Sequence, residues 1–108
     1  MEEWVCKFTI NGGHSSTVWC LDFDPSGNFL ASCSEDRTWI VWSVTETSYK
    51  KLCQVSGTHF RPIYSISWAP QKTEDGQKYR VATVGADNQL FVHEIDPEQL
   101  EQARVAPV

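Results

Sequence analysis

No two cysteines of this chain stand at the C-x₂-C spacing; the four lie at positions 6, 20, 33 and 53. Iron–sulfur and zinc ligands ordinarily come in such close pairs, so the cysteines are expected to pack as small apolar residues. Basic charge is also scarce: nine Lys and Arg stand against 14 Asp and Glu, for a net charge of −5. Only Lys50 and Lys51 are adjacent. Without a basic stripe to track a phosphate backbone, direct nucleic-acid binding is not expected. The opening MEEWVCKF has neither a basic n-region nor an apolar core, so no secretory leader is expected. No run approaches the ~18 apolar residues of a membrane-spanning helix. A G-x-S-x-G elbow is absent as well. These absences together suggest a reduced cytoplasmic, or also nuclear, setting with free thiols, no membrane contact, no metal site and no cofactor.

What the chain does have is aromatic and β-branched residues in short runs. It is 41% hydrophobic and holds five Trp. Trp4 to Ile10 is a β-rich run, broken by Asn11-Gly12-Gly13. From Thr17 to Phe23, alternation puts Trp19, Leu21 and Phe23 on one face. Asp24-Pro25-Ser26-Gly27-Asn28 is a strong turn, because Pro fixes φ and Gly permits a positive one. Phe29–Ser34 and Thr38–Val44 read as strands separated by the corner Glu35-Asp36-Arg37, and Tyr49–Val55 as a fourth. In Thr38–Val44, Trp39 and Val41 face one way and Ile40 and Trp42 the other, so both faces of the sheet are expected to be covered.

The pattern then recurs. Ile63–Trp68 corresponds to Val18–Phe23, Arg80–Val84 to Phe29–Cys33, and Leu90–His93 to Trp39–Trp42. Opening strands are offset by 45 positions and closing strands by 51. The polar stretch Gln71–Lys78 accounts for the difference as a lengthened hairpin loop, an inexpensive place for an insertion. Glu94–Val108 loses the alternation and reads as a tail or outer connection, with Pro97 able to open a short helix through Arg104.

Four polar residues punctuate the first copy: His14, Ser32, Asp36 and Trp42. An indole N–H is a donor only and can reach a hydroxyl; the hydroxyl can donate to one imidazole nitrogen, and the other nitrogen to a carboxylate. Such a relay would hold four strands in one register if fully satisfied. In the second copy His59, Thr83 and Asp87 take the same places, and His93 stands where the Trp would be. The same His14, Ser32 and Asp36 invite a hydrolase reading. Against it, Ser32 lies mid-strand between Ala31 and Cys33 instead of on a strained turn.

The segment HSSTVWCLDFDPSGNFLASCSEDRTWIVW resembles the WD-repeat family. That resemblance implies an all-β chain, a β-propeller fragment of about two four-stranded antiparallel blades. Residues 1–10 would be the outer strand of a preceding blade, 11–55 a blade with the complete signature, 56–94 a degenerate blade, and 95–108 the tail. Propellers close with roughly 4–8 blades, so missing blades are among the implied partners. Within the family, EEWVCKF, STVW and THFRPIYSISW are most similar to members of the cytosolic iron–sulfur protein assembly machinery. This implies a non-catalytic scaffold, whose partners are members of the targeting complex and client apoproteins. A WD-repeat adaptor in signalling, ubiquitin ligation or chromatin is the alternative. Glu35, Arg37, Phe60 and Arg61 fall in turns or just before a strand and are the candidate partner-binding rim.

Overall fold

Each of the two strand series folds into its own antiparallel sheet. The computed structural model describes residues 3–107. Sheet one contains β1 (Val18–Phe23), β2 (Phe29–Ser34), β3 (Trp39–Val44) and β4 (Tyr49–Val55), in that spatial order. Sheet two contains β5 (Ile63–Trp68), β6 (Tyr79–Gly85) and β7 (Leu90–Ile95). All neighbours are sequential hairpins, the arrangement short turns enforce. The turn after β1 is set by Asp24. Its carboxylate accepts the amides of Ser26 (3.1 Å) and Phe29 (2.8 Å), and Gly27 supplies φ of 80°. Gln71–Lys78 forms the loop between β5 and β6, closed by the Thr73 amide donating to the Lys78 carbonyl at 2.9 Å.

The sheets stack face to face. Phe29, Ala31, Cys33, Trp39 and Val41 of sheet one meet Ile63, Ile66, Trp68 and Val81 of sheet two. Phe29 and Trp68 lie nearly parallel across this contact, with centroids 6.4 Å apart. The contact is also hydrogen-bonded: the Trp68 amide donates to Asp22 Oδ2 at 2.8 Å. On the opposite face of sheet one, Leu30, Ile40 and Trp42 form a second cluster, covered in part by Ile10 and Val44. Both faces of β3 are therefore buried, as its sequence predicts.

Three expectations differ from the structure. The Trp4–Ile10 run is not in a strand; residues 3–10 pair with no ladder, and Trp4 and Val5 are exposed. A strand needs an edge to join, and among the described residues no strand pairs with this segment. Met1 and Glu2 of the expected outer strand over residues 1–10, and Val108 of the expected tail, lie outside the described residues. Secondly, sheet two has three strands, not four. In place of an outer strand the chain turns into α1 (Pro97–Val105). Asp96 caps it by accepting the Glu98 amide at 2.9 Å, and Pro97 begins the first turn. Thirdly, the end of the chain is not a simple tail, because Leu100 of α1 is buried in the core between the sheets.

The alternation in β1 also breaks. Val18 pairs with Ser34 and Cys20 with Cys33, leaving Trp19 as a bulge residue. A bulge re-aims its side chain, so Trp19 does not share a face with Leu21 and Phe23. Sheet two repeats the irregularity between Ile63 and Ser65, with Tyr64 as the extra residue.

Candidate functional site

In sheet one, β2, β3 and the loop before β1 bring His14, Ser32, Asp36 and Trp42 together. Trp42 Nε1 donates to Ser32 Oγ at 2.9 Å. Ser32 Oγ lies 2.8 Å from His14 Nε2, and His14 Nδ1 lies 3.0 Å from Asp36 Oδ2. The proton positions follow by elimination. The indole can only donate, so the hydroxyl proton goes to Nε2, and Nδ1 carries the proton that reaches the carboxylate. Asp36 accepts further bonds from the Ser15 amide (3.0 Å), the Thr38 amide (2.9 Å) and the Thr38 hydroxyl (2.7 Å). Burial alone would push the Asp36 carboxyl up. The bonds from Thr38, Ser15 and His14 outweigh it and bring the carboxyl from 3.8 to about 2. Gly13 is part of this site, because a Cβ there would stand 2.3 Å from the Trp42 ring.

The second relay is assembled in the same way. His59 Nδ1 donates to Asp87 Oδ2 (2.9 Å), the Thr83 hydroxyl donates to His59 Nε2 (2.8 Å), and His93 Nε2 lies 3.1 Å from Thr83 Oγ1. His93 thus stands where Trp42 stands and offers the same N–H. Burial, with the nearby His59 ring, holds the His93 imidazole below its ordinary range and so keeps it neutral. Its ring lies 4.7 Å from that of Trp39 in the facing sheet. Asp87 also sits below the usual carboxylate range. Desolvation opposes this, and bonds from the Gln89 amide and His59 prevail. Gly85 occupies the place of Ser34; a Cβ there would be 2.7 Å from the Pro62 carbonyl and 3.0 Å from His59 Nδ1.

The Ser32–His14–Asp36 geometry resembles a catalytic triad, but its surroundings do not suit nucleophilic attack. Ser32 is buried and its oxygen already accepts the Trp42 N–H. Ser32 pairs with Leu21 on one side and Ile40 on the other, so the neighbouring amides are engaged in ladders instead of being aimed at a developing oxyanion. The cysteines divide. Cys33 is fully buried, and burial together with neighbouring Cys20 pushes its thiol up to about 12; burial also raises Cys53. Such thiols stay protonated and pack as apolar groups. Cys6, expected on a strand, is instead exposed and outside any strand.

The candidate rim residues fall in two places, the β2–β3 turn and the loop before β5. Glu35 and Arg37 occupy the turn, and Phe60 and Arg61 precede β5 as exposed side chains. Arg37 takes φ of 70°, as does its counterpart Asn88 with 62°. The structure adds two residues to this set. Trp19 Nε1 donates to Glu35 Oε1 at 2.8 Å, and the Trp19 and Tyr64 rings meet edge-on at 5.8 Å. Both are about half exposed. The alternation that placed Trp19 on one face with Leu21 and Phe23 concealed them. The available signal was the repeat itself, which sets an aromatic residue at the second position of both opening strands.

Residues 4–43 match the family described as WD domain, G-beta repeat. That match spans the segment leading into sheet one and its strands β1 to β3, and stops before β4. The chain is similar to the probable cytosolic iron-sulfur protein assembly protein 1 of Yarrowia lipolytica, at 32% identity over 123 residues, covering 85% of this chain and 32% of that protein. It is 39% identical over 71 residues to the probable cytosolic iron-sulfur protein assembly protein Ciao1 of Aedes aegypti, covering 54% of this chain and 21% of that protein. Among solved structures, U3-55K aligns with TM-score 0.48 and 18% identity over 80% of this chain and 29% of that one. The chain thus spans between about a fifth and a third of the length of these curated relatives. A four-stranded sheet that overlaps the WD40 match and a three-stranded sheet that repeats its order make this a mostly β chain.

Proposed function

We propose that this chain forms part of a non-catalytic protein-interaction scaffold in cytosolic iron–sulfur protein assembly. The observation that carries the reading is the similarity to iron–sulfur assembly proteins, which in one relative extends over 85% of the chain. Its partners on this reading are members of the assembly targeting complex and the apoproteins that receive clusters. The cytoplasm is the place of action. The cluster is cargo, and the chain's own cysteines do not hold it; the raised Cys33 and Cys53 thiols support this.

In this proposal the two relays, His14–Ser32–Asp36–Trp42 and His59–Thr83–Asp87–His93, are structural, and they fix blades over residues 11–55 and 56–94. Residues 1–10 act as an outer strand once a preceding blade is supplied. Glu35, Arg37, Phe60 and Arg61, joined by Trp19 and Tyr64, form the docking rim. Aromatic and Arg side chains on a rigid frame are the types enriched at binding hot spots. The test is affinity purification of the chain within its full-length protein from cytosol, beside a Phe60→Ala/Arg61→Glu variant. Recovery of assembly factors and iron–sulfur apoproteins, reduced at least tenfold in the variant, is the expected result. Recovery of signalling, ubiquitin-ligase or chromatin proteins instead would replace the assignment with the adaptor reading.

A further inference from the structure

Cys20 and Cys33 stand directly opposite each other on β1 and β2. Residues so paired in an antiparallel ladder share one face of the sheet. Both side chains join the core between the sheets, Cys33 fully buried and Cys20 packed against it from a half-buried position. Paired Cα atoms lie roughly 4.5–5.5 Å apart, within the roughly 4.4–6.8 Å that a disulfide spans. Cys53 stands two strands from Cys33, across β3, at roughly 9.5 Å by strand spacing, which is too far to bridge. Cys6 is exposed and outside any strand. The ladder therefore gives Cys33 one thiol partner, and that partner is Cys20.

Packing does not call for two thiols at this place. Sheet two puts Ser65 opposite Val84 at the same ladder position and still closes around its own relay. The Cys20 thiol has a further contact. Its Sγ lies 3.7 Å from Ser65 Oγ and donates to the Ile66 carbonyl at 3.7 Å, both on β5. Cys20 is thus a polar tie between the sheets, alongside the bond from the Trp68 amide to Asp22.

We propose that Cys20 and Cys33 form a redox modification site, in which a hydroperoxide joins them as a cross-strand disulfide and loosens the joint between the sheets. The site follows from strand register and does not depend on the iron–sulfur reading. Two steps lead to the bond. The Cys20 sulfur attacks one peroxide oxygen and the O–O bond breaks. Cys20 becomes a sulfenic acid, and the other oxygen leaves with the thiol proton as water or an alcohol. The Cys33 sulfur then bonds to the Cys20 sulfur, and the sulfenic hydroxyl leaves with the Cys33 thiol proton as water. The two sulfurs together lose two electrons, and the peroxide gains them. A disulfide sulfur carries no proton, so Cys20 can no longer donate to Ile66, and the bond turns it toward β2. Burial keeps the Cys33 thiol protonated, which slows the closing step; its fixed place opposite the target offsets this. The same burial makes Cys33 a poor leaving group, so a reductant that attacks Cys20 restores the thiols slowly. Reversible bonds of this kind are the ones a reducing compartment tolerates.

The full-length protein carrying this chain is treated with hydrogen peroxide, alkylated under denaturing conditions and digested with trypsin. Cleavage after Lys7 and Arg37 leaves both cysteines in one peptide, residues 8–37. That peptide should appear unalkylated and lighter by two hydrogens, and dithiothreitol should return both thiols. Two alkylated thiols, Cys20 carried on to the sulfinic acid, or Cys20 bonded to any thiol other than Cys33 overturns the site. In Cys33→Ala, dimedone should trap Cys20 as the sulfenic acid. In Cys20→Ser, which keeps a small polar group facing β5, peroxide should leave Cys33 alkylatable; loss of that thiol overturns the site even if Cys33→Ala does not fold. Hydrogen exchange reads the joint. Amides of β5 should exchange about threefold faster after oxidation and recover with dithiothreitol, and peroxide should not change them in Cys20→Ser. A disulfide that leaves β5 exchange unaltered refutes the loosening.

Discussion

In sheet one the relay ends on the indole of Trp42; in sheet two it ends on the imidazole of His93. Everything between is alike: a β2 or β6 hydroxyl, a histidine from the preceding loop, and a turn aspartate. The relay tolerates a change of ring at its end because what it requires there is one N–H donor, which a neutral imidazole also supplies. Ring size follows from the neighbour. His93 packs against Trp39 of the facing sheet, whereas Trp42 lies among Ile10, Val44 and the Gly13 backbone, with Tyr49 edge-on at 6.0 Å, all within its own sheet and the segment before it. At the carboxylate end the sheets differ in the number of donors. Thr38 gives Asp36 a hydroxyl as well as an amide, while Gln89 gives Asp87 its amide alone. Sheet one is the more fully bonded copy and also the more buried one, since β2 and β3 are covered along nearly their whole length whereas β7 is exposed at alternate positions.

The most damaging way to probe this contrast is to add one methyl group to each relay. Gly85→Ala puts a Cβ against the Pro62 carbonyl and His59, neither of which can yield; overpacking of this kind should cost about 3 kcal/mol. Gly13→Ala meets the Trp42 ring, which borders an open cleft and can swing, so about 2 kcal/mol is expected. Chemical denaturation ranks the two, and a larger loss from Gly13→Ala would show that the Trp42 ring has no room to move.

Removing the hydroxyl at the centre of each relay should have a smaller effect. Ser32→Ala strands the buried Trp42 N–H and is expected to cost about 2 kcal/mol. Thr83→Val keeps shape and leaves the partly exposed His93 to rebond, for about 1 kcal/mol. Equal losses in thermal melts would remove the distinction between the terminal rings.

Acidity separates the copies further. The Asp36 carboxyl is depressed in the fold, so its contribution is complete above 3.8 and is lost as pH falls toward about 2. The depressed His93 acts earlier. The unfolded chain takes up its proton below 6.5 while the folded one resists, so stability declines as pH drops from there. A pH series on His93→Gln should lose the decline below 6.5 and keep the one below 3.8. The smallest effect expected is a gain: Arg37→Gly relieves a left-handed backbone and should add about 1 kcal/mol. If Arg37 belongs to the docking rim, partner recovery falls in the same variant although stability rises.

The strands, the first relay and the places of the second could be read in the sequence because they depend on local alternation, turn residues and the repeat; that His93 would complete the second relay as an N–H donor could not. Three things could not be read so directly. The bulge at Trp19 depends on how β1 meets β2, and alternation alone misassigns that side chain. Trp4 to Ile10 has the composition of a strand, but a strand exists only where an edge is offered. The helix at Pro97 was signalled by Asp96 and Pro97, yet its anchoring depends on Leu100 finding space between the sheets, which is a tertiary fact.

Because Trp19 and Tyr64 sit on bulges, each repeat displays one aromatic ring that is nearly free of duties to the interior. Such positions can change identity over generations without disturbing the wedge beneath them. If the rim docks partners as proposed, these two rings are where its specificity can be altered without touching either relay.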